Sequence, residues 1–220
     1  IEDNYKIEQI IKNVKPDECY HMAAQSFVSI SPKHELSTIN VNISGTYNIL
    51  SCIKKHRPDC KVYFSGSSEM FGKVKQIPQN EKTFFRPRSI YGLSKLTGFE
   101  LARYYRENYN LFVSVGILYN HESPRRGIQY VSRKITNEAA KIKLGLSNSI
   151  SLGNIEAKRD WGFAGDYVIA MKQMLNRNEP DDYVIGTDKL HTVKDILKIA
   201  FKDLGLNYKK YIKIDKRFYR

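Results

Sequence analysis

Apolar residues recur along the first half of the chain in two alternating rhythms. Ile7, Ile10, Ile11 and Val14 fall three and four apart, which predicts a helix over 5–14, ended by Pro16 and Asp17. Residues 18–22 then read as a short strand leading into the small residues Ala23 and Ala24. A second helix is predicted within 36–57, with Val41, Gly45 and Ile49 at helical spacing. The run 61–65, Lys-Val-Tyr-Phe-Ser, is β-branched and aromatic and reads as a buried strand. Pro87 stops whatever precedes it, and Ser89 is the N-cap of a helix from 90 to about 108. Residues 111–118 form a third apolar strand. Strands alternating with long helices give an α/β class with a doubly wound parallel sheet. Ligands of such sheets sit at the carboxyl ends of the strands. Ala24, Ser67, Glu69 and Asn120 all lie just past predicted strand ends and are expected to converge on one crevice.

The rhythm changes after residue 120. A polar loop covers 121–127, an amphipathic helix with Arg133 and Lys134 covers 129–144, and a short strand covers 149–153. The charged stretch 158–161 reads as a corner before a helix over 163–176, followed by a strand at 183–185. Thr192 and Asp195 resemble a capping box, with Asp in place of Glu, opening a helix to about 204. Residues 211–219 read as extended. The expected division is 1–122 with 158–190 as the main domain, and 123–157 with 191–220 as a smaller interleaved region.

Composition narrows the classes. With 220 residues and 41% hydrophobic positions the chain can bury a substantial core. No run approaches the roughly 18 apolar residues of a membrane span. The net charge of +13 raises nucleic-acid binding. The lysines are scattered, however, with no aromatic-interleaved basic stripe and no zinc-finger spacing, so a solvated surface and an anionic small ligand are the better readings. Cys19, Cys52 and Cys60 form no ligand pattern and suit a reduced, cytoplasmic protein; the five histidines do not cluster, so no metal is expected. No signal peptide is visible and Ile1 is not an initiator methionine, which suggests a fragment.

The chemistry gathers between Ser65 and Lys95. Tyr91 and Lys95 stand four apart on one helix, so they share a face with Cβ atoms about 6 Å apart. A free phenol, with a pKa near ~10, is a poor base at neutral pH. An ammonium one turn away favours the phenolate and makes the pair a proton acceptor for a sugar hydroxyl. The alternative is that Tyr91 packs and Lys95 is solvated. The strand-turn carrying Ser67 and Glu69, placed 22 residues before Tyr91, favours the chemical reading. None of the 13 glycines forms the spaced array that cradles a dinucleotide phosphate at a helix N-terminus.

Together these segments resemble the extended short-chain dehydrogenase/reductases, and within them the GDP-mannose 4,6-dehydratases. The general features are Tyr20-His-Met-Ala-Ala24, Ser67-Ser-Glu69 and Tyr91-x-x-x-Lys95; the narrower ones are Ala24-Gln-Ser26, the block from Asn120 to Gly127, Arg133-Lys134, Leu152-Gly-Asn154 and Ala157-Lys-Arg-Asp-Trp161. The resemblance implies a Rossmann-like fold, N-terminally truncated before the glycine loop, with a smaller substrate-binding region. It implies that Tyr91 takes the C4 hydroxyl proton, Lys95 assists Tyr91 and binds the nicotinamide ribose, Glu69 removes the C5 proton, and Ser67 helps the C6 hydroxyl leave. Ser67 stands where the subgroup usually has Thr, and Ser37 where a cofactor-contacting Tyr is common.

By the same resemblance Met22, Ala23, Ala24, Gln25, Ser26, Lys95, His121 and Arg126 would contact NADP. Ser68, Asn120, Lys134, Gly153, Arg159 and Arg220 would hold GDP-mannose, with no nucleic acid, membrane or metal involved. A homo-oligomer is implied, with the Arg125-Arg126 loop at a subunit interface. The alternatives are another dehydratase or epimerase of sugar nucleotides, or a non-catalytic nucleotide-binding fragment. For Arg159 the alternative to ligand binding is an ion pair with Asp160; for Glu69 it is a helix-start carboxylate. Without the glycine loop the chain alone is expected to be a poor enzyme.

Overall fold

The structure, a computed structural model, describes residues 1–218, and Arg220 lies outside them. In chain order the elements are α1 (Asn4–Val14), β1 (Glu18–His21), α2 (Glu35–Ile39), a π turn (Asn40–Ser44), α3 (Gly45–His56), β2 (Lys61–Ser65), α4 (Ile90–Tyr109), β3 (Val113–Leu118), β4 (Asn120–Glu122), α5 (Val131–Lys143), β5 (Ile150–Leu152), β6 (Lys158–Phe163), α6 (Ala164–Leu175), β7 (Asp182–Ile185), β8 (Leu190–Thr192), α7 (Val193–Asp203) and β9 (Ile212–Ile214). Two compact units result. The first is Ile1–Tyr119 with Tyr167–Ile185; the second is Asn120–Asp166 with Gly186 onward. Their boundaries fall at 119, 166 and 185, where the sequence reading puts them at 122, 157 and 190.

The first unit is built on a four-stranded parallel sheet in the order β1-β2-β3-β7. Helices cover both faces, as the sequence predicts for a doubly wound sheet. Val62 and Phe64 of β2 enter one core with Ile49, Ile53 and Phe99, while Tyr63 between them enters another with Tyr167, Met171 and Leu175. Adjacent strand residues point to opposite faces, so a strand apolar at every position needs cover on both sides. β3 is buried along its whole length for the same reason. Helix α4 runs from the cap at Ser89, whose hydroxyl accepts from Gly92 N at 3.0 Å, to Asn110 in the left-handed region at φ 55°. Gly98 lets α4 lie against β2, because a Cβ there would stand 2.5 Å from the Phe64 ring. Arg106 fixes the far end of α4 to β7 through two hydrogen bonds with Asp182, at 3.0 and 3.1 Å.

The second unit holds a β4-β6-β8 sheet and a β5-β9 pair. Helices α5 and α7 pack Ile135, Ala139, Leu197 and Phe201 against Ile150 and Leu152. Thr192 and Asp195 form the capping box read from the sequence. Elsewhere in this unit the sequence reading needs correction. Residues 158–163 are not a corner but the strand β6, and the loop at 121–127 begins as part of strand β4. These strands are polar, and their backbone ladders are supplied by neighbours rather than announced by alternating apolar side chains. In the first unit the helix expected within 36–57 contains the π turn; in the second, the stretch expected to be extended at 211–219 forms a strand only over Ile212–Ile214 and a 3-10 turn over Lys216–Phe218, with residue 219 outside the described residues.

Glu8 ties α1 to α3. Its carboxylate accepts from Lys55 at 2.9 Å and His56 at 2.7 Å, with Lys12 at 3.1 Å. These hydrogen bonds, that of Lys55 foremost, hold the carboxyl down at about 2. A carboxyl depressed in the folded state stabilises above its unfolded pKa and loses that contribution as the pH falls toward the folded value. Glu8→Gln should therefore lower the unfolding temperature at pH 7, and the difference from the unsubstituted protein should shrink below about pH 4.5 and vanish near pH 2. Thermal melts across that range measure it.

Candidate active site

In the first unit the candidate residues sit on three neighbouring turns. The strand β2 ends at Ser65, and Ser67 caps a single 3-10 turn, Ser68–Met70, by accepting from Glu69 N at 3.2 Å. This turn lies directly on the start of α4. A Cβ at Gly92 would come within 2.7 Å of Glu69 O, so glycine here is what allows Glu69 to approach the Tyr91 turn. The Glu69 side chain is half-buried and has no hydrogen bond or ion pair among the described residues. Tyr91 is 8% exposed. Ser68 is half-buried next to Glu69 in the 3-10 turn.

Lys95 is also inside. It is buried, its Nζ donates to Ser65 O at 2.7 Å, and it lies 5.1 Å from the centre of the Phe64 ring. Burial pushes its pKa down to about 8, so the ammonium persists at neutral pH but is held at a cost. The reading of Lys95 as a solvated surface residue is thereby excluded.

The third turn follows β1. Met22, Ala23 and Ser26 are exposed, and Ala24 and Gln25 half-buried. This turn is locked by Asn42, a residue the sequence reading did not single out. Gln25 N donates to Asn42 Oδ1 at 2.8 Å, and Asn42 Nδ2 donates to Gln25 O at 3.2 Å and to Ser94 Oγ at 2.8 Å. Ser94 Oγ in turn donates to Tyr91 O at 2.8 Å. One buried amide thus fixes the small-residue turn against the helix of Tyr91 and Lys95. Asn42 lies in the π turn, the kind of irregularity that collects at functional sites.

Beneath it, Thr46 Oγ1 donates to Asn42 O at 2.6 Å, so His21 Nε2 must be the donor in its 2.9 Å contact with Thr46. His21 Nδ1 is then a buried lone pair without a partner. Burial first, and the Lys95 charge second, push this imidazole down to about 3, so it is neutral.

The remaining candidates belong to the second unit. Asn120 Nδ2 donates to Asp160 O at 3.1 Å, and Lys134 Nζ donates to Ser151 O at 2.7 Å on the strand that leads to Gly153. Arg126 pairs with Glu122 at 3.2 Å and stacks 3.6 Å above the Tyr130 ring; His121 is half-buried on β4. The Arg159–Asp160 ion pair weighed above does not form. Asp160 is buried and bonded to Thr187 and Asp188, while Arg159 is exposed and meets no carboxylate among the described residues. Among the described residues no helix is long and apolar enough to cross a membrane, and no cluster of three or more His, Cys, Asp or Glu could hold a metal ion.

Over its whole length the chain is similar to proteins of one family. The family model described as GDP-mannose 4,6 dehydratase matches residues 1–220. The chain is 46% identical to GDP-mannose 4,6 dehydratase 1 of Arabidopsis thaliana over 100% of its own length and 62% of the relative's. It is 46% identical to the Homo sapiens GDP-mannose 4,6 dehydratase over 92% of its length and 55% of the relative's. The chain therefore spans only about six tenths of the curated relatives it matches. Among solved structures, RMD from Pseudomonas aeruginosa complexed with NADPH superposes with a TM-score of 0.90 at 22% identity, covering 97% of this chain and 72% of that one. The Thermotoga maritima UDP-glucose 4-epimerase with UDP-glucose gives 0.86 at 26% identity, covering 97% and 69%. These neighbours are Rossmann-fold proteins, as the doubly wound sheet requires.

The buried ammonium has a measurable signature. The Lys95 pKa is lower folded than unfolded, so its destabilising effect is complete below pH 8 and fades as the pH rises toward 10.5. Relative to Lys95→Met, the unsubstituted protein should gain about 3 kcal/mol of unfolding free energy between pH 7 and 10.5. Paired urea titrations at the two pH values measure this gain.

Proposed function

We propose that the chain, which belongs to the GDP-mannose 4,6-dehydratase family, carries the catalytic machinery for converting GDP-mannose to GDP-4-keto-6-deoxymannose. The observation that carries this reading is Glu69, a half-buried carboxylate with no hydrogen bond or ion pair among the described residues, brought by Gly92 onto the turn of Tyr91 and Lys95. A simple oxidoreductase needs the tyrosine and lysine; an elimination needs a further base, and Glu69 supplies one.

The residues present fit the nicotinamide ribose end of NADP. Lys95 gives one of its three N–H bonds to Ser65 O and keeps two for ligand hydroxyls, and the turn after β1 offers only methyl groups at Ala23 and Ala24. Met22, Gln25, Ser26, His121 and Arg126 complete the set proposed to hold the cofactor. NADP, when bound, would supply the acceptor for the C4 hydride and return that hydride to C6. Tyr91 takes the proton of the C4 hydroxyl, its phenolate favoured by the Lys95 ammonium. The C4 carbonyl so formed acidifies C5–H, and Glu69 takes that proton. The C6 oxygen leaves as water, taking the proton that Glu69 removed from C5 while Ser67 donates a hydrogen bond to it, and the proton taken up by Tyr91 is the equivalent returned to C5 with the hydride at C6. Ser68, Asn120, Lys134, Gly153, Arg159 and Arg220 are the residues proposed to hold the sugar nucleotide; arginine suits its phosphates because the guanidinium fork binds oxyanions in pairs of hydrogen bonds. A homo-oligomer belongs to the same reading.

Ligand protection tests the substrate class. GDP-mannose at about 100 times its Kd should stabilise the full-length protein by about 2.7 kcal/mol. UDP-glucose and dTDP-glucose should give much less, and Tyr91→Phe should keep the protection while losing turnover. Equal protection by all three nucleotides contradicts the assignment.

A further inference from the structure

The three-stranded sheet of the second unit sets a basic pair of residues opposite each other on adjacent strands. Strands β6 and β8 run antiparallel with Arg159 directly opposite His191. Residues so placed project from the same face with Cβ atoms about 5 Å apart, so an arginine and a histidine side chain leave the sheet as neighbours. Both are exposed. Arg159 makes a single hydrogen bond, Nη1 to Lys158 O at 2.7 Å, and His191 makes no hydrogen bond or ion pair among the described residues. Of the acids nearest in sequence, Asp160 and Asp195 are engaged elsewhere, and Asp188 forms no ion pair with either residue among the described residues. Glu156 pairs with Lys194 at 2.8 Å.

Asp160 points to the other face of β6, as strand alternation requires. Its buried carboxylate accepts from Thr187 N at 2.8 Å, Thr187 Oγ1 at 2.9 Å and Asp188 N at 3.0 Å, with Asp188 in the left-handed region at φ 58°. This clamps the turn that enters β8. The alignment of His191 with Arg159 is thus fixed from the opposite side of the sheet by a buried charge.

We propose that His191 is a ligand-binding residue that acts with Arg159 as a two-part anchor for the diphosphate of a nucleotide. The anchor deepens the dehydratase reading and rests on it for the identity of the nucleotide. Arg159 keeps four of the five N–H donors of its planar fork, one being given to Lys158 O, and His191 carries at least one N–H in either protonation state. Two such donor groups on adjacent strands, neither in an ion pair with a carboxylate among the described residues, match neighbouring phosphate oxygens.

Calorimetric titration of GDP into the full-length protein tests the anchor. His191→Ala and His191→Phe should bind GDP about tenfold more weakly, with guanosine affinity and unfolding temperature unchanged. His191→Gln, which keeps an N–H donor, should recover most of the loss. With GDP-mannose as substrate, KM should rise by the same factor while kcat holds. Unchanged GDP affinity in His191→Ala, or an equal loss for guanosine, overturns the anchor while leaving the dehydratase reading intact. GDP binding that depends on His191 in a protein without GDP-mannose turnover overturns the dehydratase reading and leaves the anchor standing.

Discussion

The first unit depends on what happens where β2 ends beneath α4. There a buried ammonium, Lys95 Nζ, donates to the Ser65 carbonyl at 2.7 Å. A charge taken out of water destabilises the fold unless its surroundings are fixed and its hydrogen bonds are made. The surroundings here are fixed from several sides. The Phe64 ring lies under the ammonium, Gly98 admits close packing of the helix on the strand, and Asn42 holds the helix through Ser94. The neutral His21 adds no competing positive charge. The same packing that makes Lys95 expensive to bury holds Tyr91 and Glu69 on adjoining turns.

The two units divide the proposed work. The first supplies acid–base groups on rigid elements: Tyr91 and Lys95 one helical turn apart, and Glu69 on a turn pressed against that helix by the missing side chain of Gly92. The second supplies basic and amide groups on a small sheet and on α5, with Asp160 as the buried charge that sets its strand register. In both units a buried ionisable side chain holds others in place: Lys95 in the first and Asp160 in the second. Such sites tolerate the energetic cost because the geometry they hold is the product of it.

Much of the first unit could be read from the chain because its signals are local. The continuous apolar runs of β2 and β3 demand cover on two faces, and Ser89 marks the start of α4 by a side-chain cap. The capping box at Thr192 was visible for the same reason. Strands β4, β6 and β8 were not, because their stability lies in backbone ladders to partners distant in sequence, and residues such as Lys158 and Arg159 carry no strand pattern. The π turn and Asn42 were hidden because a shift in backbone hydrogen bonding leaves no side-chain signature; two asparagines inside an otherwise apolar helical stretch were the available clue. The candidate residues Ser67, Glu69, Tyr91 and Lys95 were found by spacing, but the close approach of Gly92 to Glu69 emerges only in three dimensions.

The central claim is that Glu69 serves the elimination while Tyr91 and Lys95 serve the oxidation that precedes it. A single turnover of GDP-mannose by full-length Glu69→Gln in deuterium oxide, followed by mass spectrometry of the sugar and absorbance of the reduced cofactor, tests it most directly. The account predicts reduced cofactor together with a 4-keto sugar that retains its C6 oxygen and takes up no deuterium at C5. Normal turnover with deuterium at C5 would contradict it.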